Sequence, residues 1–304
     1  MNGAICTWDL TKRFRRSDAV DGLTMEVPEG SIFALVGPNG AGKTTTIKML
    51  MNIVRPSAGR SEVIGVDSRR LGPAEFAKIG YVSENQEMPD WMTVGYFLNF
   101  LRPYYPTWDD ALAAELLRQF DLPVDRKLKH LSRGMRMKAA LASSLAYRPG
   151  LIVLDEPFTG LDPLVRDEFI EGLLARAEGT TILISSHDLA EIESFASHIG
   201  YLEAGRLRFS EELESLTARF REVTLTFDGE AARPRILPER WVRAEATGSV
   251  LRVVDSAFTG GAEYREVFGA YREIGVEAMP LRAIFVALAR AGRGVESRSE
   301  KVAV

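Results

Sequence analysis

The chain has 304 residues, of which 46% are hydrophobic and 26% charged, enough to build one large core or two ordinary ones. A formal net charge of −4 and a pI near 5.6 speak against a binder of nucleic-acid backbones, which presents a basic face. The single cysteine, Cys6, precludes an intramolecular disulfide and suits a reducing compartment.

In chain order, the opening MNGAICTWDLTKRF lacks the basic-then-apolar layout of a secretory signal, and no apolar run nears the roughly 18 residues that cross a bilayer. The expectation is a soluble protein, or one held at a membrane through a partner. ICTWDLTKRF and GLTMEVPEGSIFALVG read as strands, rich in β-branched and aromatic residues and broken at Pro28-Glu29-Gly30. SIFALVG then runs into PNGAGKTTTIKMLMNIV, whose periodicity turns helical after the glycines. Residues 91–145 read as mainly helical, in the segments WMTVGYFLNFL, WDDALAAELLRQF and RMKAALASSLAY, with Pro103, Pro106 and Pro123 as separators. GLIVLDEP and TTILISS are continuous apolar runs, as expected of parallel strands buried on both faces. Between them DPLVRDEFIEGLLARAEG makes an amphipathic helix that stops near Gly179. This alternation predicts an α/β fold with a βαβ core and a parallel sheet.

Beyond about residue 220 the texture changes. EVTLTFDG, WVRAEATGSVLRVVD and VEAMP read as short strands, the middle one a hairpin turning at Thr247-Gly248, while AEYREVFGAYREI and LRAIFVALARA read as helices. The expected organisation is one domain over 1–220 with a helical subdomain over about 86–145, a small C-terminal α+β appendage over 221–290, and a polar tail, 291–304, expected to be disordered.

Two motifs carry chemistry. GPNGAGKT at 37–44 fits G-x-x-x-x-G-K-[ST] between a strand and a helix, the context such a phosphate loop requires. The loop of Gly37, Pro38, Asn39, Gly40, Ala41 and Gly42 would wrap the phosphates, its glycines letting backbone N–H groups converge on them; Lys43 would neutralise the β/γ charge; the Thr44 hydroxyl, followed by Thr45, can ligate Mg²⁺. LIVLDEP supplies the complement: an apolar strand ending in Asp155, which can hold Mg²⁺ through water, and Glu156, which can polarise an attacking water as general base. A second anion-ready helix start lies at LSRGM, where Ser132 and Gly134 precede a long helical run.

LSRGM at 131–135, LDEP at 154–157, GLD at 160–162 and SSH at 185–187 follow one another in the order of the ATP-binding cassette (ABC) ATPases, which residues 5–215 resemble. The resemblance implies a P-loop nucleotide-binding domain with a mixed sheet core and a helical subdomain, binding ATP and Mg²⁺ and hydrolysing ATP. It also implies a head-to-tail pair, in which Ser132 and Gly134 of one subunit close on the γ-phosphate held by the Lys43 loop of the other. His187 matches the family's switch histidine at the γ-phosphate, Asp162 the loop that touches the opposite subunit, and Phe14 in LTKRF the aromatic that stacks on adenine. Asp162 before Pro163 also reads as a helix N-cap, and Phe14 also reads as a core residue of a strand.

Two of the motifs depart from the family pattern. In IGYVSENQ, Glu84 stands where the family usually has the glutamine that reaches Mg²⁺ and the attacking water; Gln86 would match only with a two-residue shift. Arg133 and Met135 stand where Gly and Gln are commoner. Both departures resemble the ABC-2-type exporter branch. Trp91, Tyr96, Phe97, Phe100, Tyr104, Tyr105 and Trp108 form either the core of a helical subdomain or a groove for a short helix of a membrane subunit.

The function these features imply is the ATP-hydrolysing subunit of an ABC transporter, a homodimer or a heterodimer with a second ABC ATPase. It would sit on the cytoplasmic face of the cell membrane through an integral ABC-2-like permease and serve export. The alternative, a soluble ABC-type ATPase associated with nucleic acid or ribosomes, calls for a long coiled-coil insertion or tandem cassettes. The span from Lys43 to Asp155 is too short for the insertion, only one cassette is present, and no nucleic-acid partner is expected. A binding-only regulator is opposed by Lys43, Glu156 and His187 together.

Overall fold

The computed structural model describes residues 3–15, 17–231, 238 and 240–288. Its contacts divide the chain into two compact units, Met1–Glu211 and Glu212–Val304.

In the first unit, β1 (Ile5–Phe14) and β2 (Ser17–Val27) form an antiparallel ribbon whose register runs from Ile5 opposite Val27 to Phe14 opposite Ser17. The register shifts between Thr7 and Leu10, where Asp9 takes a left-handed φ of 47°. That shift bends the ribbon as a bulge does. β3 (Ile32–Val36) is apolar throughout and leads into the glycine loop and α1 (Lys43–Leu50). β4 (Ala58–Val63) and the short β5 (Val66–Asp67) extend the ribbon into a four-stranded sheet of order β2-β1-β4-β5. A short α2 (Pro73–Phe76) precedes β6 (Ile79–Ser83).

Three helices follow, each started by a side-chain cap, which supplies an acceptor for an amide left free at a helix start. Thr93 caps α3 (Val94–Leu101), Asp109 caps α4 (Asp110–Gln119) and Ser132 caps α5 (Arg133–Leu145). α5 is rich in Ala, Leu and Ser and is buried from Met137 to Leu145, with its small side chains allowing close approach on several sides. The aromatic cluster expected here divides in two. Phe97 is buried and Tyr105 stacks on Tyr147 at 3.9 Å, whereas Trp91, Tyr96, Phe100 and Tyr104 are exposed, paired ring to ring at 5.6 and 5.7 Å.

β7 (Leu151–Asp155), α6 (Pro163–Leu174), β8 (Thr181–Ser186), β9 (His198–Glu203) and β10 (Arg206–Glu212) complete a six-stranded sheet of order β10-β9-β3-β8-β7-β6. β6, β7, β8, β3 and β9 run parallel, and β7 and β8 are buried along their whole length, as a sheet covered on both faces requires. The main core joins Leu10, Met25, Phe33, Leu35, Ile47 and Leu183 between the ribbon, α1 and this sheet. The parallel register sets Ser83, Asp155 and Ser185 side by side, with Leu35 beside Ser185. Four chain segments therefore leave the sheet at one end.

The second unit begins with α7 (Leu213–Arg219) and carries an antiparallel sheet of order β12-β13-β11-β14, from β11 (Arg221–Thr226), β12 (Trp241–Thr247), β13 (Val250–Asp255) and β14 (Glu273–Ala278), with α8 (Ala262–Phe268). Trp241 stacks on Tyr264 at 5.0 Å and on Phe268 at 5.5 Å, over a core of Val223, Leu225, Leu251 and Val253. The hairpin at Thr247-Gly248 forms as expected, with Gly248 at φ 58°. The helix expected over 262–274 stops at Phe268: Gly269, at φ 70°, ends it, and residues 273 and 274 belong to β14. Residues 281–288 are helical; the tail 291–304 lies outside the described residues.

Replacing Trp241 with Ala removes the middle ring of a three-ring stack. Large-to-small changes at such sites cost about 3–5 kcal/mol. Denaturant unfolding followed by circular dichroism should show a loss of that order, and a much smaller loss would mean the stack is not what holds this unit together.

Candidate nucleotide-binding site

The loop after β3 is shaped by close approaches. A Cβ at Gly37 would lie 2.0 Å from the Leu202 carbonyl oxygen, and one at Gly42, at φ 106°, would lie 2.3 Å from that of Ala19. Only glycine fits at either point. No side chain caps the start of α1, so its first-turn amides open onto the loop, where the helix dipole also favours an anion.

Lys43 is buried, and its Nζ donates to the carbonyls of Gly37 (2.7 Å) and Pro38 (3.2 Å) and pairs with Glu156 Oε1 at 3.0 Å. The other oxygen of Glu156 meets His187 Nδ1 at 2.7 Å and accepts from the Thr159 hydroxyl at 3.2 Å. Glu156 holds a left-handed φ of 51°, a conformation that costs a non-glycine residue roughly 1–2 kcal/mol. Its amide donates to Ser185 Oγ at 2.9 Å, which helps hold the turn. Burial pushes the Glu156 carboxyl up, but the hydrogen bonds from His187 and Lys43 outweigh it and leave the pKa below the usual glutamate value.

Asp155 ends β7 and is 4% exposed. It accepts hydrogen bonds from Ser185 Oγ (2.8 Å) and Thr44 Oγ1 (3.0 Å). Burial nonetheless pushes its carboxyl above the usual aspartate value, because two hydroxyl dipoles do not replace the lost hydration.

A cavity of about 590 Å³ opens over these groups, bordered by residues 39–45 with Glu84, Glu156 and His187. The sequence-expected residues Asn39, Gly40, Ala41, Gly42, Lys43, Thr44 and Thr45 all face it. Glu84 lines it as well. Gln86 instead turns its side-chain oxygen back to the amide of Ser83, at 3.4 Å. Phe14, at the end of β1, is half exposed with Lys12 Nζ 5.1 Å above its ring, and is not among the cavity's lining residues. Ser132, Gly134 and Asp162 also lie outside the lining. They form a second cluster, where Asp162 caps α6 and a Cβ at Gly134 would lie 2.6 Å from Val165 Cγ1.

Thr159 escapes a motif-level reading, and Ser185 enters one only as part of SSH, without a role, although it touches both acidic residues. The available signal is a hydroxyl at the end of an otherwise apolar buried strand, since a buried polar group needs a partner.

Residues 20–159 match the family model described as ABC transporter. The chain is 31% identical over 220 residues to the ABC transporter ATP-binding protein YtrB of Bacillus subtilis (strain 168), covering 70% of this chain and 75% of that protein. It is 33% identical over 260 residues to the daunorubicin/doxorubicin resistance ATP-binding protein DrrA of Streptomyces peucetius, covering 83% and 78%. A solved structure titled "Structure of ATP binding subunit of ABC transporter" aligns with a TM-score of 0.64 and 27% identity over 71% of this chain and 92% of that one. The chain belongs to the ATP-binding subunits of ABC transporters, which bind and hydrolyse ATP. The alternative of a nucleic-acid-associated ATPase is not favoured.

Because Asp155 is held ionised at a cost, its raised pKa works against the fold at neutral pH and ceases to do so below the ordinary value of 3.8. Without nucleotide, Asp155→Asn should therefore melt at a higher temperature than the wild type at pH 7. The difference should shrink as pH falls towards 4. A lower melting temperature for the Asn variant at pH 7 would contradict this account of the site.

Proposed function

We propose that this subunit works as one half of a head-to-tail dimer closed around two ATP molecules and coupled to an ABC-2-type permease for export. The carrying observation is spatial. Ser132 and Gly134 start an anion-ready helix yet border no part of the chain's own cavity, so the phosphate they suit belongs to a second cassette. Support for export comes from DrrA, a resistance protein, whose match covers 83% of this chain and so runs beyond the first unit. The partner cassette is a second copy or a related ATPase. Residues 221–290 serve as an accessory domain, and the exposed rings of Trp91, Tyr96, Phe100 and Tyr104 offer a seat for a short permease helix at the cytoplasmic face of the membrane.

Within the site, the Gly37–Gly42 backbone and Lys43 receive the phosphates, Phe14 stacks on the base, and Asp162 meets the partner subunit. Thr44, Asp155 and Glu84 offer hard oxygen donors of the kind Mg²⁺ takes. Among the described residues no three His, Cys, Asp or Glu side chains converge as a metal cage, which fits an ion held mainly by phosphates, water and one or two carboxylates. The ion's contribution when bound is to neutralise phosphate charge. Glu156, relieved of Lys43 once phosphate takes the lysine, draws the proton from the attacking water, and His187 holds Glu156 and the γ-phosphate in line.

Glu156→Gln should keep ATP binding, cut turnover at least about 100-fold, the scale of a general base, and accumulate a dimer visible by light scattering with ATP and Mg²⁺. Normal hydrolysis by that variant would remove Glu156 from the role. In a mixed dimer of a Ser132→Ala chain with a Lys43→Ala chain, head-to-tail sharing puts both defects in one site and leaves the other intact.

A further inference from the structure

Glu84 and Arg133, one from each motif that departs from the family pattern, meet in space although 49 positions separate them: Arg133 Nη2 donates to Glu84 Oε1 at 2.6 Å. The backbone of Glu84 is fixed, since its amide donates to the Asp155 carbonyl at 3.0 Å while its side chain borders the nucleotide cavity. Arg133 is the first residue of α5, where the positive end of the helix dipole disfavours a cation. A nearby carboxylate offsets that cost. Its guanidinium also lies beside Gly160, where a Cβ would be 3.0 Å from Arg133 Nη1. One charge pair thus ties the edge of the chain's own cavity to the start of the helix that carries Ser132.

We propose that Arg133 is a positioning residue that holds the Glu84 carboxylate at the cavity's edge until the divalent cation arriving with the nucleotide replaces it as countercharge. This rests on the reading of Glu84 as a metal-side residue given above. Mg²⁺ takes oxygen ligands at about 2.1 Å in near-octahedral geometry, and a carboxylate drawn to a guanidinium through Oε1 gives up part of that pairing when it turns to the ion, whose like charge also repels the guanidinium. Arg133 and the ion therefore compete for Glu84. When the ion wins, the guanidinium is freed on the helix start that, in the head-to-tail pair, meets the other subunit's triphosphate. Filling one site then prepares the helix that serves the other. The pair is partly exposed, 49% for Arg133 and 29% for Glu84, so releasing it is worth about two- to fivefold in a binding constant.

The test is a titration of the full-length chain with a fluorescent, non-hydrolysable ATP analogue, once with excess Mg²⁺ and once with EDTA. Arg133→Gln should tighten binding of the Mg²⁺ complex about two- to fivefold and leave the EDTA titration unchanged or weaker. Arg133→Lys, which keeps the charge, should fall between Gln and wild type. In a Glu84→Gln background, Arg133→Gln should have no effect. A shift of equal size with and without Mg²⁺, or of equal size in both backgrounds, would make Arg133 a general surface charge and overturn the proposal. If Glu84→Gln weakens the Mg²⁺ complex while Arg133→Gln changes nothing, the positioning role alone fails. If Glu84→Gln leaves Mg²⁺-dependent binding unchanged, the metal-side reading of Glu84 fails and this inference falls with it.

Discussion

The buried pair between Lys43 and Glu156 is the interaction around which the rest of the site is arranged. Removing an ammonium and a carboxylate from water costs several kcal/mol for each ion, and the pair's own attraction rarely covers that unless further hydrogen bonds complete both shells. Here they do: two loop carbonyls complete the lysine, and His187 and Thr159 complete the glutamate. The arrangement is also replaceable. Under the proposed function, a phosphate oxygen carries the charge that Glu156 presents to Lys43, so nucleotide entering the loop would substitute for the glutamate at the lysine and free the carboxylate for a water. On that reading, the charges that tie the loop to the turn after β7 are the ones the reaction would use.

This pairing is possible because of sheet geometry. Parallel strands in register bring Val36, Asp155 and Ser186 to one end of the sheet, where bound ligands are met in open α/β folds. Consecutive side chains of a strand point to opposite faces, which would part Asp155 from Glu156. The left-handed backbone at Glu156 breaks that alternation just past the strand, and the buried Ser185 hydroxyl accepts the Glu156 amide while donating to Asp155. One hydroxyl thus helps fix the backbone of Glu156 and the carboxylate of Asp155.

The parts of this fold legible in sequence are those whose signal is local. The glycine loop, the apolar run ending in Asp155, the Ser132 and Asp162 caps and the strand over Ile5–Phe14 each declare themselves within about ten residues. β4, with the sequence AGRSEV, carries no apolar pattern because its partner across the ribbon, β1, determines it. The helix read into AEYREVFGAYREI overlooks a single Gly269 and the pairing of β14 with β11. The choice between Glu84 and Gln86 needs the cavity, and contact between Glu84 and Arg133 needs the tertiary fold, because no periodicity connects positions so far apart.

The charges around the cavity also differ in how they are compensated. Glu156 has Lys43 and His187, and Glu84 has Arg133, so both carboxylates meet a cation from the protein itself. Asp155 meets hydroxyls, those of Thr44 and Ser185, and burial raises its pKa. A buried carboxylate left short of positive charge is costly to ionise until a cation arrives. Thr44, in the first turn of the helix at the loop, touches Asp155, so under the proposed function these two side chains would hold a divalent ion that neutralises phosphate charge. Under the proposed function, then, the fold leaves its electrostatic deficit at the point where metal and nucleotide enter as one unit, and Asp155 favours the pair over the nucleotide alone.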